Sequence, residues 1–339
     1  MTKDQVRQQF GANAAAYVSS PTHAQGASLA RLVELVAPRP EWRVLDVATA
    51  TGHTALAFAP HVAVVLGLDL TAQMLPLAAG LAAERGAGNV VLAVGDVDDL
   101  PLAEGAFDLV TCRIAAHHFP DVGRFLAEAA RVLAPGGLLA VVDNVVPGSR
   151  LRGKRADLQR EAGEYVNAFE QLRDPSHVRC LSLEEWAEAL LAAGLSVVAQ
   201  ETLDKRLTFE TWAARHTPEM QTRLRAMLLQ APEAARAFLD PRAEGLTTFR
   251  LREGLFVARR RNPICLEEVR AIPATSSHPV AGCGEETPAA ATPISTPGRK
   301  ELNARTPRRE DLNARTPRRY AFFPLRPGVF ALTLLTRNQ

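Results

Sequence analysis

From about residue 43 to residue 145, short apolar runs rich in β-branched residues alternate with helix-like stretches. This alternation restricts the chain to an α/β fold, a parallel sheet covered by helices. Val44-Leu45-Asp46-Val47-Ala48 reads as a first strand, and Thr54 to Pro60 as the helix after it. Val62 to Leu68 forms a second strand ending at Asp69, with Thr71 as the N-cap of an Ala/Leu-rich helix reaching Arg85. Asn89 to Val94 and Phe107 to Cys112 give the third and fourth strands, Val122 to Leu133 a helix, and Gly137 to Val142 a fifth strand. Strands this apolar are buried on both faces.

After Pro147 the pattern changes. Leu151 to Leu172 is amphipathic, with Leu158, Tyr165 and Phe169 among its apolar positions, and Thr208 to Phe238 is again helical. Between them, Leu183 to Ala193 is a helix closed by Gly194 and followed by a strand from Leu195 to Gln200, and Gly254 to Arg260 reads as the last strand. The helical insertions, about 147–181 and 205–245, are expected to cover the ligand-binding end of the sheet. One domain is therefore expected over 1–261.

Residues 262–339 form a different kind of segment. They hold ten of the 23 prolines and a tandem decapeptide, Glu301 to Arg309 repeated as Asp311 to Arg319. No packed fold is expected from this composition, and two short copies cannot stack as a solenoid. The tail carries 11 basic and 7 acidic residues against 39 and 37 in the whole chain, so the slight basicity belongs to it. The main body lacks the basic footprint of a nucleic-acid binder. Cys112, Cys180, Cys265 and Cys283 lie far apart without a Cys-x-x-Cys pair, which suits a reducing cytoplasm. No run approaches 18 apolar residues, so no transmembrane segment is expected. The oligomeric state stays open.

The stretch that carries chemistry is Val44 to Thr54, a strand running into a turn of small residues and then a helix. Such a turn lets a cofactor approach the backbone at the carboxyl ends of the strands. Asp69, 23 residues after Asp46, ends the second strand, where a carboxylate can accept both hydroxyls of an adenosine ribose. Asp96 follows the third strand and can meet an adenine amino group while the amide of Val97 faces a ring nitrogen. Gly-x-Gly-x-x-Gly is absent, which argues against a nicotinamide enzyme.

In these motifs the chain resembles the class I S-adenosylmethionine-dependent methyltransferases, in the branch similar to the ubiquinone/menaquinone biosynthesis C-methyltransferases, over about residues 5–260. The resemblance implies a Rossmann-like, doubly wound, mostly parallel seven-stranded sheet with an antiparallel last strand, S-adenosyl-L-methionine as cofactor and a small-molecule acceptor. It implies that Asp46 orients the turn, that Ala48, Thr51 and Gly52 border the methionine part, and that Asp69, beside Leu70, holds the ribose. Asp96 and Val97 match the adenine pair. Phe10, Tyr17 and His23 fall in the N-terminal helix that similar enzymes fold over the cofactor. The turn departs from the usual Gly-x-Gly by carrying Ala50, at a cost of about 1 to 2 kcal/mol if the position is left-handed.

His117 and His118, just past the fourth strand, are the candidate catalytic bases; the alternative is that they only line the pocket. With no third ligand at a diagnostic spacing, no metal site is expected. Arg113 could meet the cofactor carboxylate, an acidic substrate or a structural partner. Tyr165, Phe169, Arg173 and His177 suit an aromatic or apolar acceptor, a quinone-like compound being favoured for carbon or oxygen methylation. A catalytically inactive cofactor-binding sensor is the competing reading.

Overall fold

The computed structural model describes residues 3, 7, 8, 10, 11, 26–261, 323–327 and 334–335. Strand β1 (Arg43–Val47) sends Val44 into one core and Leu45 and Val47 into another, because successive side chains of a strand point to opposite faces. The same division runs through β2 (Val64–Asp69), β4 (Phe107–Arg113) and β5 (Leu133–Val145). Helices α1 (Ala27–Val36) and α2 (His53–Phe58) cover one face through Leu32, Val36, Ala55 and Phe58. Helices α4 (Val122–Val132) and α6 (Leu183–Ala192) cover the other through Phe125, Leu126, Ala129, Trp186 and Leu190. Between β2 and β3 (Val90–Val94) lies α3 (Leu75–Glu84), with Leu75 and Ala78 against Leu92.

With β6 (Leu195–Thr208), β7 (Thr248–Arg260) and β8 (Leu334–Leu335), the strand order is β6-β7-β5-β4-β1-β2-β3-β8. Strands β1 to β5 pair in parallel, while β7 runs antiparallel to both β5 and β6. This is the expected doubly wound sheet with its antiparallel strand; β8 adds a two-residue pairing to the β3 edge. The chain winds from β1 outward to β3, then returns to β4 on the other side of β1, which opens a crevice at the carboxyl ends of β1 and β4.

Several boundaries differ from the sequence reading. Strand β6 continues eight residues past Gln200 to Thr208, through Glu201, Asp204, Lys205 and Arg206. One face of an antiparallel hairpin can be wet, so charge there does not end a strand. Thr71 precedes a 3-10 turn, Ala72–Met74, and makes no side-chain capping bond; α3 itself starts with proline in its first turn. The long helical stretch resolves into α7 (Phe209–Ala213), α8 (Pro218–Leu229) and α9 (Glu233–Leu239), divided near Pro218 and Pro232 because proline cannot continue a preceding helix.

These three helices and α5 (Lys154–Arg173) build a second core. Phe169 stacks on Trp212 at 4.8 Å, Trp212 meets Phe249 edge-on at 5.0 Å, and the Arg173 guanidinium lies 4.9 Å from the Trp212 ring centre. Phe169, expected to suit an acceptor, is thus wholly buried in this second core. Beyond residue 262, Phe323 is buried and stacks on Phe107 at 5.7 Å. The decapeptide repeat, Cys265 and Cys283 lie outside the described residues, as do Tyr17 and His23.

Candidate active site

The first turn is organised by a buried carboxylate. Asp46 accepts from the Thr49 hydroxyl at 2.6 Å, the Thr111 hydroxyl at 2.7 Å and the Ala55 amide at 3.1 Å. Burial pushes its pKa up to about 6, against the pull of those donors and of Arg113. The bonds fold the chain from β1 into α2 so tightly that Ala48, Ala50 and Gly52 take φ of 51°, 48° and 83°. A side chain on Gly52 would also bring its Cβ to 3.2 Å from that of Ala78. Ile114, at the end of β4, has φ 52°, which is rare for a β-branched residue. Ala48, Ala50 and Ile114 all line one cleft of about 990 Å³, so the strained backbone is concentrated there.

The sequence-predicted residues divide into those that line this cleft and those that build it. Ala48, Thr51, Asp69, Leu70, Asp96, Val97, Arg113 and His118 line it; Asp46, Gly52 and His117 stand behind it. Asp69 accepts the Ala50 amide and the Thr71 amide, each at 2.8 Å, one on each oxygen. A carboxylate oxygen has two lone pairs, so both oxygens keep capacity for a ribose diol. Burial raises the pKa of Asp69, opposed by these amides. Asp96 accepts the Asp98 amide at 3.0 Å on one oxygen and Lys3 at 2.5 Å on the other, with Lys3 also 2.7 Å from Asp98. Phe10 packs edge-on against His118 at 4.9 Å. Lys3 and Phe10 thus both line the cleft.

Arg113 donates to the Thr54 hydroxyl at 3.2 Å. Burial lowers its pKa, countered by the charges of Glu253 and Asp46.

The two histidines have opposite environments. His117 lies 2.5 Å from Asp143 through Nδ1, and its amide donates to the same carboxylate at 2.7 Å. Burial alone would lower its pKa, but Asp143, Glu170 and Asp174 outweigh burial and raise it. His118, with its ring centre 4.1 Å from that of His117, is pushed down to about 3 by burial and by its neighbour's charge. Its Nδ1 is 2.8 Å from the Ser176 carbonyl. Sequence reasoning missed Asp143, Asp174, Ser176, Lys3 and Ile114; only a fold brings the first three beside the histidines. Among the described residues there is no group of three or more side chains suited to a metal, and no helix long and apolar enough to cross a membrane.

A doubly wound sheet with a small-residue turn after β1 and carboxylates after β2 and β3 defines an enzyme class that holds an adenosyl cofactor at the switch point. Known proteins agree. The methyltransferase domain family matches residues 45–141. YcgJ of Bacillus subtilis strain 168, an uncharacterized methyltransferase, is 36% identical over 206 residues, covering 61% of this chain and 78% of that protein. Its crystal structure superposes with a TM-score of 0.62 at 32% identity, covering 70% of this chain and 99% of that one. Demethylmenaquinone methyltransferase of Deinococcus radiodurans is 42% identical over 33% of this chain and 46% of its own length. The 27-O-demethylrifamycin SV methyltransferase of Amycolatopsis mediterranei is 30% identical over 60% of this chain and 71% of its own length. The chain belongs to the class I S-adenosylmethionine-dependent methyltransferases, similar to the branch of ubiquinone/menaquinone biosynthesis C-methyltransferases.

Proposed function

We propose that this methyltransferase acts on a carbon or oxygen of a small aromatic or quinone-like acceptor, with His118 as the base. The observation that carries the reading is a neutral imidazole lining the cofactor cleft beside Phe10, with one nitrogen held by a backbone carbonyl. The likeness to demethylmenaquinone and demethylrifamycin methyltransferases supports carbon and oxygen acceptors.

When bound, S-adenosylmethionine supplies an electrophilic methyl group on a positively charged sulfur. Asp69 is assigned to the ribose, Asp96 and Val97 to the adenine, and the strained turn of Ala48, Thr51 and Gly52 to the methionine part. Asp46 acts behind them by holding that turn. Phe10, Ile114 and Phe119 give the cleft apolar walls that exclude water. His118 would take the acceptor's proton at Nε2, leaving the acceptor's oxygen or carbon free to attack the methyl group that bound S-adenosylmethionine would supply, with the thioether as leaving group.

Screening phenolic and quinol compounds with labelled methyl donor identifies the acceptor. His118→Gln then lowers kcat by about 10- to 100-fold with cofactor affinity unchanged, less than a base titrating near neutrality would give because burial holds this ring's pKa down at about 3. The deficit narrows at high pH, where an acceptor hydroxyl ionises unaided. Wild-type turnover in His118→Gln across the pH range would leave alignment alone as the mechanism.

A further inference from the structure

The loop between α5 and α6 is strapped onto the turn that carries the two histidines. Val178 and Arg179 donate their amides to the His117 carbonyl at 2.8 and 3.1 Å, and the rings of His117 and His177 lie 5.4 Å apart. Within this loop Asp174 builds a tight turn. Its Oδ1 accepts the Ser176 amide at 2.9 Å and the Ser176 hydroxyl at 2.5 Å, and its Oδ2 accepts from Arg215 at 3.0 Å. The turn closes through the His177 amide on the Asp174 carbonyl at 2.9 Å.

The proton positions follow from what each atom can do. The hydrogen bonds from Ser176 and Arg215 keep Asp174 a charged acceptor, its pKa held well below the usual carboxylate range despite burial. Because a carboxylate only accepts, the Ser176 hydroxyl must donate to it, leaving a lone pair toward His118 Nδ1 at 3.2 Å. The second neighbour of that nitrogen, the Ser176 carbonyl, is also an acceptor. Facing two acceptors, Nδ1 must carry the proton. The neutral ring therefore keeps its lone pair on Nε2, for which no hydrogen bond occurs among the described residues.

We propose that the Asp174–His177 turn, in the loop between α5 and α6, is a positioning device that fixes the proton of His118 on Nδ1 and so presents Nε2 as the lone pair that accepts the substrate's proton. The proposal rests on the reading of His118 as the base. Asp174 and Ser176 are positioning residues: they act through His118 and do not line the cofactor cleft. The device also ties His118 to the second helical insertion, because Arg215, which anchors Asp174, follows α7.

The test is histidine-selective ¹⁵N NMR on the full chain, with the His118 signals identified by their loss in His118→Gln, combined with kinetics on the screened acceptor. Wild-type protein should show His118 with the proton on Nδ1. Asp174→Ala should give mixed tautomers and a kcat lower by about 5- to 100-fold, with cofactor Kd unchanged. Asp174→Asn, whose amide oxygen can still accept both Ser176 bonds, should restore the tautomer and most of the rate. If Asp174→Ala does not melt cooperatively, Ser176→Ala takes its place; it deletes one of the two acceptors and should cost about 2- to 10-fold in kcat. A wild-type His118 protonated on Nε2, or a tautomer unchanged in every folded variant, overturns the proposal. Normal turnover in His118→Gln would instead overturn the base assignment beneath it, and the spectra tell the two failures apart.

Discussion

Ala50 occupies a left-handed position, φ 48°, a backbone conformation that favours glycine. Its methyl strains the turn by about 1 to 2 kcal/mol, while glycine would cost part of that back in chain entropy. Ala50→Gly should therefore raise the melting temperature by about 1 to 4 °C in differential scanning calorimetry, and an unchanged or lower value would mean the turn is relaxed. Asp69 gathers the Ala50 and Thr71 amides and keeps lone pairs for a diol. Charge-assisted hydrogen bonds contribute about 1.5 to 3 kcal/mol, so Asp69→Ala should weaken S-adenosylmethionine binding by roughly 10- to 150-fold. Titration calorimetry giving wild-type affinity in a folded variant would remove Asp69 from the ribose site.

At the scale of elements, the turn after β4 and the loop after α5 meet in one polar cluster, with the Val178 and Arg179 amides on the His117 carbonyl. His177 belongs to that cluster, its Nε2 2.9 Å from the Asn167 side chain, and burial together with the charge on His117 lowers its pKa to about 4. The sign is fixed by that direction. Above pH 6.5 neither folded nor unfolded chain protonates this ring; as pH falls toward 4 only the unfolded chain binds the proton, and stability is lost. Urea unfolding of His177→Gln should accordingly show a smaller loss between pH 6.5 and 4 than wild type, the two curves converging in slope above 6.5. Parallel curves over the whole range would mean the ring titrates normally.

For the whole molecule, we expect residues 1–261 to form the catalytic unit, with Phe323 as an added fastener. Phe323 stacks on Phe107, and the Arg43 guanidinium lies 5.7 Å from the centre of each ring. Deleting Cys265 to Gln339 should leave a cooperatively melting, cofactor-binding protein that is less stable by about 1.5 to 3 kcal/mol, the value of burying one large apolar side chain. Phe323→Ala in the full chain should reproduce most of that loss. Truncation without any change in the melt would show that the contact contributes nothing, and failure to fold would place the tail within the core.

Much of this architecture was legible because burial on both faces writes itself into composition: β1, β2, β4 and β5 are apolar runs, and each is followed by a helix with its own stripe. The places of Asp69 and Asp96 at the cleft were equally legible, since they depend only on standing where a strand ends. The far half of β6 was hidden, because a strand with one wet face looks like a polar loop until its partner β7 is known. The roles of the histidines were hidden for a related reason. Nothing local distinguishes His117 from His118, yet Asp143 from β5 raises the pKa of one ring, while burial keeps the other neutral and Ser176, 58 residues away, orients it. Sequence alone determined the sheet, the cofactor turn and the class of chemistry, because those rest on period and on position along a strand. Tertiary structure decided which nitrogen is available to take a proton, because that depends on the acceptors, charges and burial that distant segments bring to one ring.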